Sequence, residues 1–558
     1  MLNNSIIRVL GLILGLLFLF SININSQINK PEYDYSFETV KHLDIFYSLY
    51  KELNLYYVDP IVPGEIIKTG IDAMLKSLDP YTVYIPETKI EEVRFMTTGQ
   101  YGGIGALIQK RDEYTMISQP YENSPAQKSG LQAGDIILEI DSKSIKGLDT
   151  EEVSELLRGE PNTKVNIKIM PVGSKETKTI EIIREEIKLK SVPFYGMVED
   201  GIGYINLNDF TNTAAKEVKD AYLELKKNNM LNTIILDLRG NPGGLLIEAV
   251  KICNLFIPKG ETVVSTRGKV AQWDKEYKTT AEPLDTQIKV IVVVNNMSAS
   301  ASEIVAGCMQ DLDRGVIVGQ RTFGKGLVQT TRDISYNTIL KVTTAKYYIP
   351  SGRCIQALDY SHRNPDGSVG HVPDSLIKEF RTKNGRKVYD GGGVNPDIVI
   401  EPEYFSNITS SLIQKNLPFD YAVNFKLKNP EIASPENFKI TDEIYNDFVE
   451  WLQDKDFDYQ TETEIKLNEL IQKSKDEKYF DLAENEINIL KQKFAHDKNK
   501  DLQLFKDEIS EILAQEIIIK YYYQNGLIKY SLKNDPEIIK AVEIAKNDTE
   551  YKKILSVE

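Results

Sequence analysis

Three segments of this chain carry residues whose types and spacing can do chemistry. The first is Asn296-Met297-Ser298-Ala299-Ser300-Ala301-Ser302-Glu303, which follows an apolar run and opens a helical pattern. A serine on such a strand-to-helix turn can project its hydroxyl into a cleft near the positive end of the helix dipole, where a developing oxyanion is stabilised. The same spacing, Ser300-x-x-Glu303, is also a capping box, so taken alone the segment reads as well as a plain helix start. The second segment is Thr322-Phe323-Gly324-Lys325-Gly326-Leu327-Val328-Gln329. A lysine between glycines with aromatic and apolar neighbours can be desolvated, which disfavours the ammonium and yields an amine able to take a proton from a hydroxyl. Gln329 stands four residues on, the same face if the segment is a strand, and can orient that amine. In a solvated loop Lys325 would be an ordinary surface lysine. The segment lacks the pattern of a phosphate-binding loop.

The third segment, Leu236-Asp237-Leu238-Arg239-Gly240-Asn241-Pro242-Gly243-Gly244, ends a buried strand and leads into a helix. Glycines there free backbone N–H groups to face a ligand, as an oxyanion hole requires. In isolation it reads as a β-to-α turn. The four histidines, His42, His362, His371 and His496, lie in no segment of this kind, so a Ser-His-Asp triad has little support and lysine is the natural base for a serine.

Positioning these segments requires a scaffold, and the periodicities supply one. From 200 to about 350, strands at 202–207, 233–238 and 289–294 alternate with helices at 214–227, 245–256 and 300–310, which argues for an α/β core with strands covered on both faces. Residues 91–188 are short β-rich runs with one clear helix at 151–157, for which Thr150 is the expected N-cap. Residues 31–90 read as helical, with Phe37, Val40, Leu43, Phe46, Leu49, Tyr50 and Leu53 at helical spacing and a second helix over 64–78. Residues 354–395 form a polar, glycine-rich insertion. Residues 405–558 are rich in Lys and Glu, with helical periodicity and no chemical motif, an appendage that packs against the core or a partner.

The 558 residues suggest three or four domains, and a hydrophobic fraction of 41% is ample for packed cores. With 67 basic against 82 acidic side chains the net charge is −15, and no long basic run is present, which argues against nucleic acid as a partner. Cys253, Cys308 and Cys354 match neither a disulfide framework nor a zinc site, and the first two fall in helical apolar patterns as buried thiols. Arg8 precedes an apolar block, 9–20, with the length of a signal-peptide core and too short for a confident membrane span. Export is therefore expected, with cleavage and retention as an anchor both open.

Taken together, these segments resemble the C-terminal processing peptidase family, or tail-specific proteases, over roughly residues 35–400. The resemblance rests on Ser-Leu-Asp-Pro-Tyr at 77–81, Tyr-Gly-Gly-Ile-Gly at 101–105, Leu-Asp-Leu-Arg-Gly-Asn-Pro-Gly-Gly at 236–244, Ser-Ala-Ser-Ala-Ser-Glu at 298–303, Thr-Phe-Gly-Lys-Gly at 322–326 and Gly-Gly-Val-Asn-Pro-Asp at 392–397, in that order. It implies a multidomain α/β chain with a crotonase/ClpP-like ββα protease core and an inserted PDZ domain, a helical N-terminal region and a helical C-terminal extension. The implied boundaries are 1–26 for a signal peptide or anchor, 31–90 for the N-terminal region, 91–188 for the PDZ domain, 189–403 for the core and 404–558 for the extension. It implies Ser300 as nucleophile, Lys325 as general base, Gln329 as its orienting partner, and the amides of Gly243, Gly244 and Ala301 as the oxyanion hole. Gly102, Gly103, Ile104 and Gly105 match a carboxylate-binding PDZ loop, a reading with a sound basis, since successive N–H groups form an anion nest and the next strand can pair with a peptide.

The implied activity is a serine endopeptidase cleaving exported proteins at or near their C-termini after PDZ capture, in the periplasm or held at the inner membrane. No metal or organic cofactor is implied. The partners are protein or peptide substrates with free C-termini; an activating adaptor protein and a homo-oligomer are compatible with the reading. The competing readings are a non-catalytic PDZ scaffold or regulator that keeps the protease fold, and a different α/β enzyme with a coenzyme-A ligand, for which no adenine or phosphate signature is seen. Met297 stands where the family often has glycine, and the 354–391 insertion is longer than the family minimum.

Overall fold

The computed structural model describes residues 35–228, 230–494 and 497–556, so the expected signal or anchor at 1–26 lies outside the described residues. The chain divides into two compact units, with the boundary after Ser77. The first contains the helices Tyr35–Tyr56 and Pro63–Lys76. Proline at the first helical position suits the second helix, because its missing N–H is one the helix start leaves unpaired anyway. On the first helix Phe37, Val40, Leu43, Phe46 and Leu49 are all exposed. No helix among the described residues is long and apolar enough to cross a membrane.

The second unit is built on a six-stranded sheet in the order Phe194–Glu199, Ile202–Asn206, Thr233–Asp237, Lys289–Val294, Val316–Gly319, Ile398–Val399. The first pair is antiparallel and the rest are parallel. Side chains alternate across it with period two. Ile234, Leu236, Val290, Val292 and Val294 pack with the helices Ala214–Asn228, Leu246–Phe256 and Ala301–Asp311. Tyr204, Ile235, Ile291, Val293 and Val318 face the other way and meet Ile538, Ala541, Ile544 and Tyr551 from the helices Pro536–Lys546 and Asp548–Ile554. The end of the chain therefore supplies the second cover of the central sheet. Strands buried on both faces read as continuous apolar runs for this reason.

A second, five-stranded sheet flanks the core. In it Leu327–Asp333 pairs with Ile339–Tyr348, and the short strand Val83–Ile85 pairs with the same long strand. Residues 78–85, placed by sequence in the helical N-terminal region, thus join a sheet of the second unit. The insertion after Cys354 folds as two β-hairpins, Leu358–Arg363 with Val369–His371 and Glu379–Arg381 with Lys387–Tyr389.

The β-rich segment forms a sheet in the order Ala106–Arg111, Tyr114–Pro120, Ile136–Ile140, Lys164–Met170, Lys178–Ile183, with the helix Thr150–Leu157 packed into the same core. That helix is capped by Asp149, in a reciprocal box with Glu152, and not by the expected Thr150. An ionised carboxylate at the N-terminus also complements the helix dipole. Beyond residue 404 the helices build their own aromatic core around Tyr421, Tyr445, Phe448, Leu513 and Ile517. They also reach the β-rich segment, where Phe419 and Val423 pack on Met116 and Arg111 pairs with Asp420.

Candidate active site

Ser300 is the residue before the helix Ala301–Asp311 and has φ 57°, ψ −110°. A left-handed conformation costs a non-glycine residue energy and persists only where the surroundings enforce it. They do so here. The preceding turn is held by Asn295, whose side-chain oxygen accepts the N–H groups of Gly240 and Met297. The Ser298 hydroxyl donates to Leu238 O at 2.8 Å, and the Ser302 hydroxyl to Asn241 O at 3.0 Å. The serines flanking Ser300 are thus structural, fastening the helix start to the glycine-rich loop. Met297 is exposed and keeps a negative φ, so the turn does not need glycine at that place.

Glu303 is fully buried, and its carboxylate receives four donors. Oε1 accepts the Thr322 hydroxyl at 2.6 Å and Gly324 N–H at 2.7 Å. Oε2 accepts Ser300 N–H and Lys325 N–H, both at 2.8 Å. Burial pushes the carboxyl up to about 7, against the pull of these donors. Four donors on two oxygens leave no acceptor for a carboxyl proton, so the geometry is that of the anion. The Tyr347 hydroxyl adds a second tie, lying 3.0 Å from Ser300 O and 2.7 Å from Lys325 O. Two distant segments are thereby locked together through their backbones.

Lys325 makes no side-chain hydrogen bond or ion pair among the described residues, and its Nζ sits 4.2 Å from the centre of the Tyr81 ring. Burial, together with the charge of Lys341, lowers its pKa to about 8, against Glu303 and Asp79. Tyr81 is set by Asp79, whose Oδ1 accepts the N–H groups of Tyr81 and Thr82 at 2.8 Å each. The Ser-Leu-Asp-Pro-Tyr motif thus serves to wall the lysine. The Gly-Gly-Val-Asn-Pro-Asp motif acts from the other side, since Val394 N–H donates to the Thr322 hydroxyl at 2.7 Å.

Gln329 does not meet Lys325. Its Nε2 donates to the Thr343 hydroxyl at 3.2 Å. Lys325 precedes the strand, which starts at Leu327, and the ladder is irregular between Val328 and Gln329, so the simple alternation that would align the two residues does not apply.

The glycine loop is only partly as expected. Gly243 packs against Ser300, and a Cβ on it would lie 2.8 Å from the Ser300 Cβ. Its own N–H, however, donates to Asn241 Oδ1 at 2.9 Å, which removes it from the candidate oxyanion donors in this arrangement. Asn241 is in turn anchored through its Nδ2 to Leu207 O at 2.7 Å. The amides of Gly244 and Ala301 have no acceptor among the described residues.

In the β-rich segment, Gly102 and Gly103 lie in the strand Gln100–Gly103, which pairs with Glu185–Lys188. The carbonyls of Ile104 and Gly105 accept the amides of Ala126 and Tyr121, while their own N–H groups are unpaired among the described residues. They lead into Ala106–Arg111, an edge strand of its sheet. Glu303 was visible by sequence only as a cap. Tyr81 and Asn241 stood inside quoted motifs without a role of their own, and Tyr347 and Lys341 were not singled out, because an isolated aromatic or lysine carries no spacing signal.

Comparison with known proteins agrees with this architecture. The model for peptidase family S41 matches residues 201–366, a PDZ domain model matches 116–170, and a model described as a probable PDZ-protease C-terminal helical domain matches 408–545. A carboxy-terminal-processing protease of Bartonella bacilliformis is 35% identical over 344 residues, covering 61% of this chain and 76% of that protein. A "Probable CtpA-like serine protease" of Staphylococcus aureus is 39% identical over 313 residues, 55% of this chain and 61% of the other. Among solved structures, a photosystem II D1 C-terminal processing protease is 26% identical, covering 64% of this chain and 86% of that one, with a TM-score of 0.36. The chain thus belongs to peptidase family S41, the PDZ-containing serine proteases of carboxy-terminal-processing type.

Proposed function

We propose that this serine protease works through a Ser300–Lys325 dyad and selects its substrates by capturing a free C-terminal carboxylate on the 102–105 loop. The observation that carries the reading is the placement of Lys325: half-buried, without an anionic partner among the described residues, depressed to about 8, and tied through Glu303 and Tyr347 to the backbone of the strained Ser300. An amine of this kind is neutral often enough near neutral pH to act as a base, whereas a solvated lysine is not.

In the first step the Lys325 amine takes the Ser300 hydroxyl proton as Oγ attacks the scissile carbonyl. The oxyanion that forms is held by the amides of Gly244 and Ala301, the latter at a helix N-terminus. Lys325 then returns the proton to the leaving amine, giving an acyl-enzyme and a new C-terminal fragment. A water activated by Lys325 hydrolyses the ester and restores both side chains. For capture, the unpaired amides of Ile104 and Gly105 take the carboxylate while the peptide extends along Ala106–Arg111. In this division of labour residues 91–188 capture and residues 189–403 cut, with residues 78–85 assigned to the core. The apolar block after Arg8 supports export, to the periplasm or the outer face of the inner membrane, as the place of action.

The test uses purified residues 27–558 and an unfolded substrate with a free or an amidated C-terminus, alongside Ser300→Ala and Lys325→Ala. Cleavage that needs both side chains and favours the free carboxylate is the expected result. Cleavage without that preference sinks tail capture but keeps the protease, and cleavage that survives either substitution sinks the dyad.

A further inference from the structure

Arg239 opens the glycine-rich loop directly after the buried strand Thr233–Asp237, and its guanidinium is held from two sides. On one side is Asp237, which Arg239 engages through Nε at 3.0 Å and Nη2 at 2.6 Å, and which also accepts the Tyr204 hydroxyl at 2.8 Å. On the other side are two carboxylates from the end of the chain: Nη1 lies 2.7 Å from Asp535 Oδ2 and 3.3 Å from Glu537 Oε2. Asp535 uses its other oxygen to cap the helix Pro536–Lys546, accepting Ile538 N–H at 3.0 Å. That helix lies on the sheet with Ile538, Ala541 and Ile544 fully buried. The carboxylates are therefore carried by a rigid, packed element. The planar guanidinium fork requires this geometry, since it can satisfy Asp237 and the tail together only in one orientation.

We propose that Asp535 and Glu537 are positioning residues for the catalytic step: through Arg239 they fix the 239–244 loop so that the Gly244 amide meets the developing oxyanion. The inference rests on the oxyanion reading given above. It gives the helical tail, which carries no chemical motif of its own, a role at the active site. The loop is fixed at its far end by Asn241 and by the packing of Gly243 on Ser300. At its near end the core holds the backbone, through Asp237 on Arg239 N–H and Asn295 on Gly240 N–H, and the tail adds two of the three carboxylates that hold the Arg239 guanidinium. A donor that must be in place before charge develops loses effect when its backbone is free to shift, and that loss falls on the transition state and not on substrate binding.

The test is the full-length enzyme with Asp535→Asn, Glu537→Gln and the two combined. Asparagine keeps an oxygen for the helix cap, so the first change separates the cap from the charge. Each is compared with wild type and Ser300→Ala for kcat and KM per titrated active site, and for the affinity of a peptide boronate that mimics the tetrahedral adduct on serine. The double variant is expected to lose about tenfold in kcat and a similar factor in boronate affinity, with KM changed by less than about twofold. Wild-type kcat and boronate affinity in the double variant overturn the inference, as does a rise in KM at unchanged kcat. Residual cleavage in Ser300→Ala would instead overturn the catalytic reading beneath it. If the double variant does not fold, Asp535→Asn alone is read by the same criteria.

Discussion

The backbone amides of Ser300 and Lys325 donate to one and the same atom, Oε2 of Glu303, at 2.8 Å each. The two residues are thereby fixed in mutual position by a group that neither side chain touches. Glu303→Gln keeps the size but replaces one of the two oxygens by an NH2 that points donors at donors. The buried carboxylate's charge-assisted bonds are each worth about 1.5–3 kcal/mol, so the variant is expected to lose at least tenfold in kcat, roughly, and several degrees in thermal midpoint. Steady-state kinetics with calorimetry checks this, and wild-type kcat would show that the shared anchor is dispensable.

Lys325 must be neutral to act as a base, and its pKa is lowered to about 8. The rate constant kcat/KM is therefore expected to rise with pH and level off above about 8. Lys341 lies on the strand Ile339–Tyr348, paired with Val83 two residues beyond Tyr81, and its charge opposes a second ammonium nearby. Lys341→Met removes that repulsion, so the rise should move to higher pH and the rate at pH 7 should fall. Lys341→Arg should keep the wild-type profile. A pH–rate series on the three proteins decides it; coincident curves would show that Lys341 does not tune the base.

The same shift has a consequence for stability with the opposite benefit. The folded state holds the Lys325 ammonium less well than the unfolded chain does, so below about pH 8 the residue destabilises the fold. Between that value and the unfolded lysine range the unfolded state binds more protons, and stability rises with pH. Lys325→Met should abolish cleavage yet gain roughly 2–3 kcal/mol at pH 7, with the gain shrinking as pH approaches 10.5. Urea titrations of both proteins at several pH values measure it.

Gly243 has φ +105°, and a Cβ there would stand 2.8 Å from both Ala299 O and the Ser300 Cβ. Neither neighbour is a flexible side-chain end. Gly243→Ala should displace the start of the Ser300 helix and cost about a hundredfold or more in kcat. Active-site titration separates that loss from misfolding.

Ile538 is fully buried against the sheet. Ile538→Ala should cost about 3 kcal/mol, read from chemical denaturation, and a value near zero would show that the tail helix adds nothing to the core.

The reach of the sequence was uneven for physical reasons. The strand Lys289–Val294 and the helices Leu246–Phe256 and Ala301–Asp311 were legible to within a residue, since their apolar periods are strong and their neighbours in sequence are also their neighbours in space. The cap at Asp149 was missed by one residue because Asp149 and Thr150 are both good caps and only the backbone angle chooses between them. Gln329 was drawn to Lys325 by a spacing argument that one irregularity in the ladder undoes. The capture of the Gly243 amide by Asn241, two residues earlier, follows from loop geometry that no periodicity encodes. Least legible was the tail: its helices could be read, but not the Arg239 contacts or the sheet face it covers, which depend on pairings between residues far apart in the chain.

That last pairing bears on how the molecule is made. The sheet that carries the glycine loop and the Ser300 turn has one face completed mainly by the helices after residue 535. The three helices on the other face can pack early on strands that are their neighbours in sequence, but the central strands stay half bare until the segment after residue 535 docks. Contacts so remote in sequence close late. The sheet that carries the Ser300 turn is thus among the last parts of its unit to be completed.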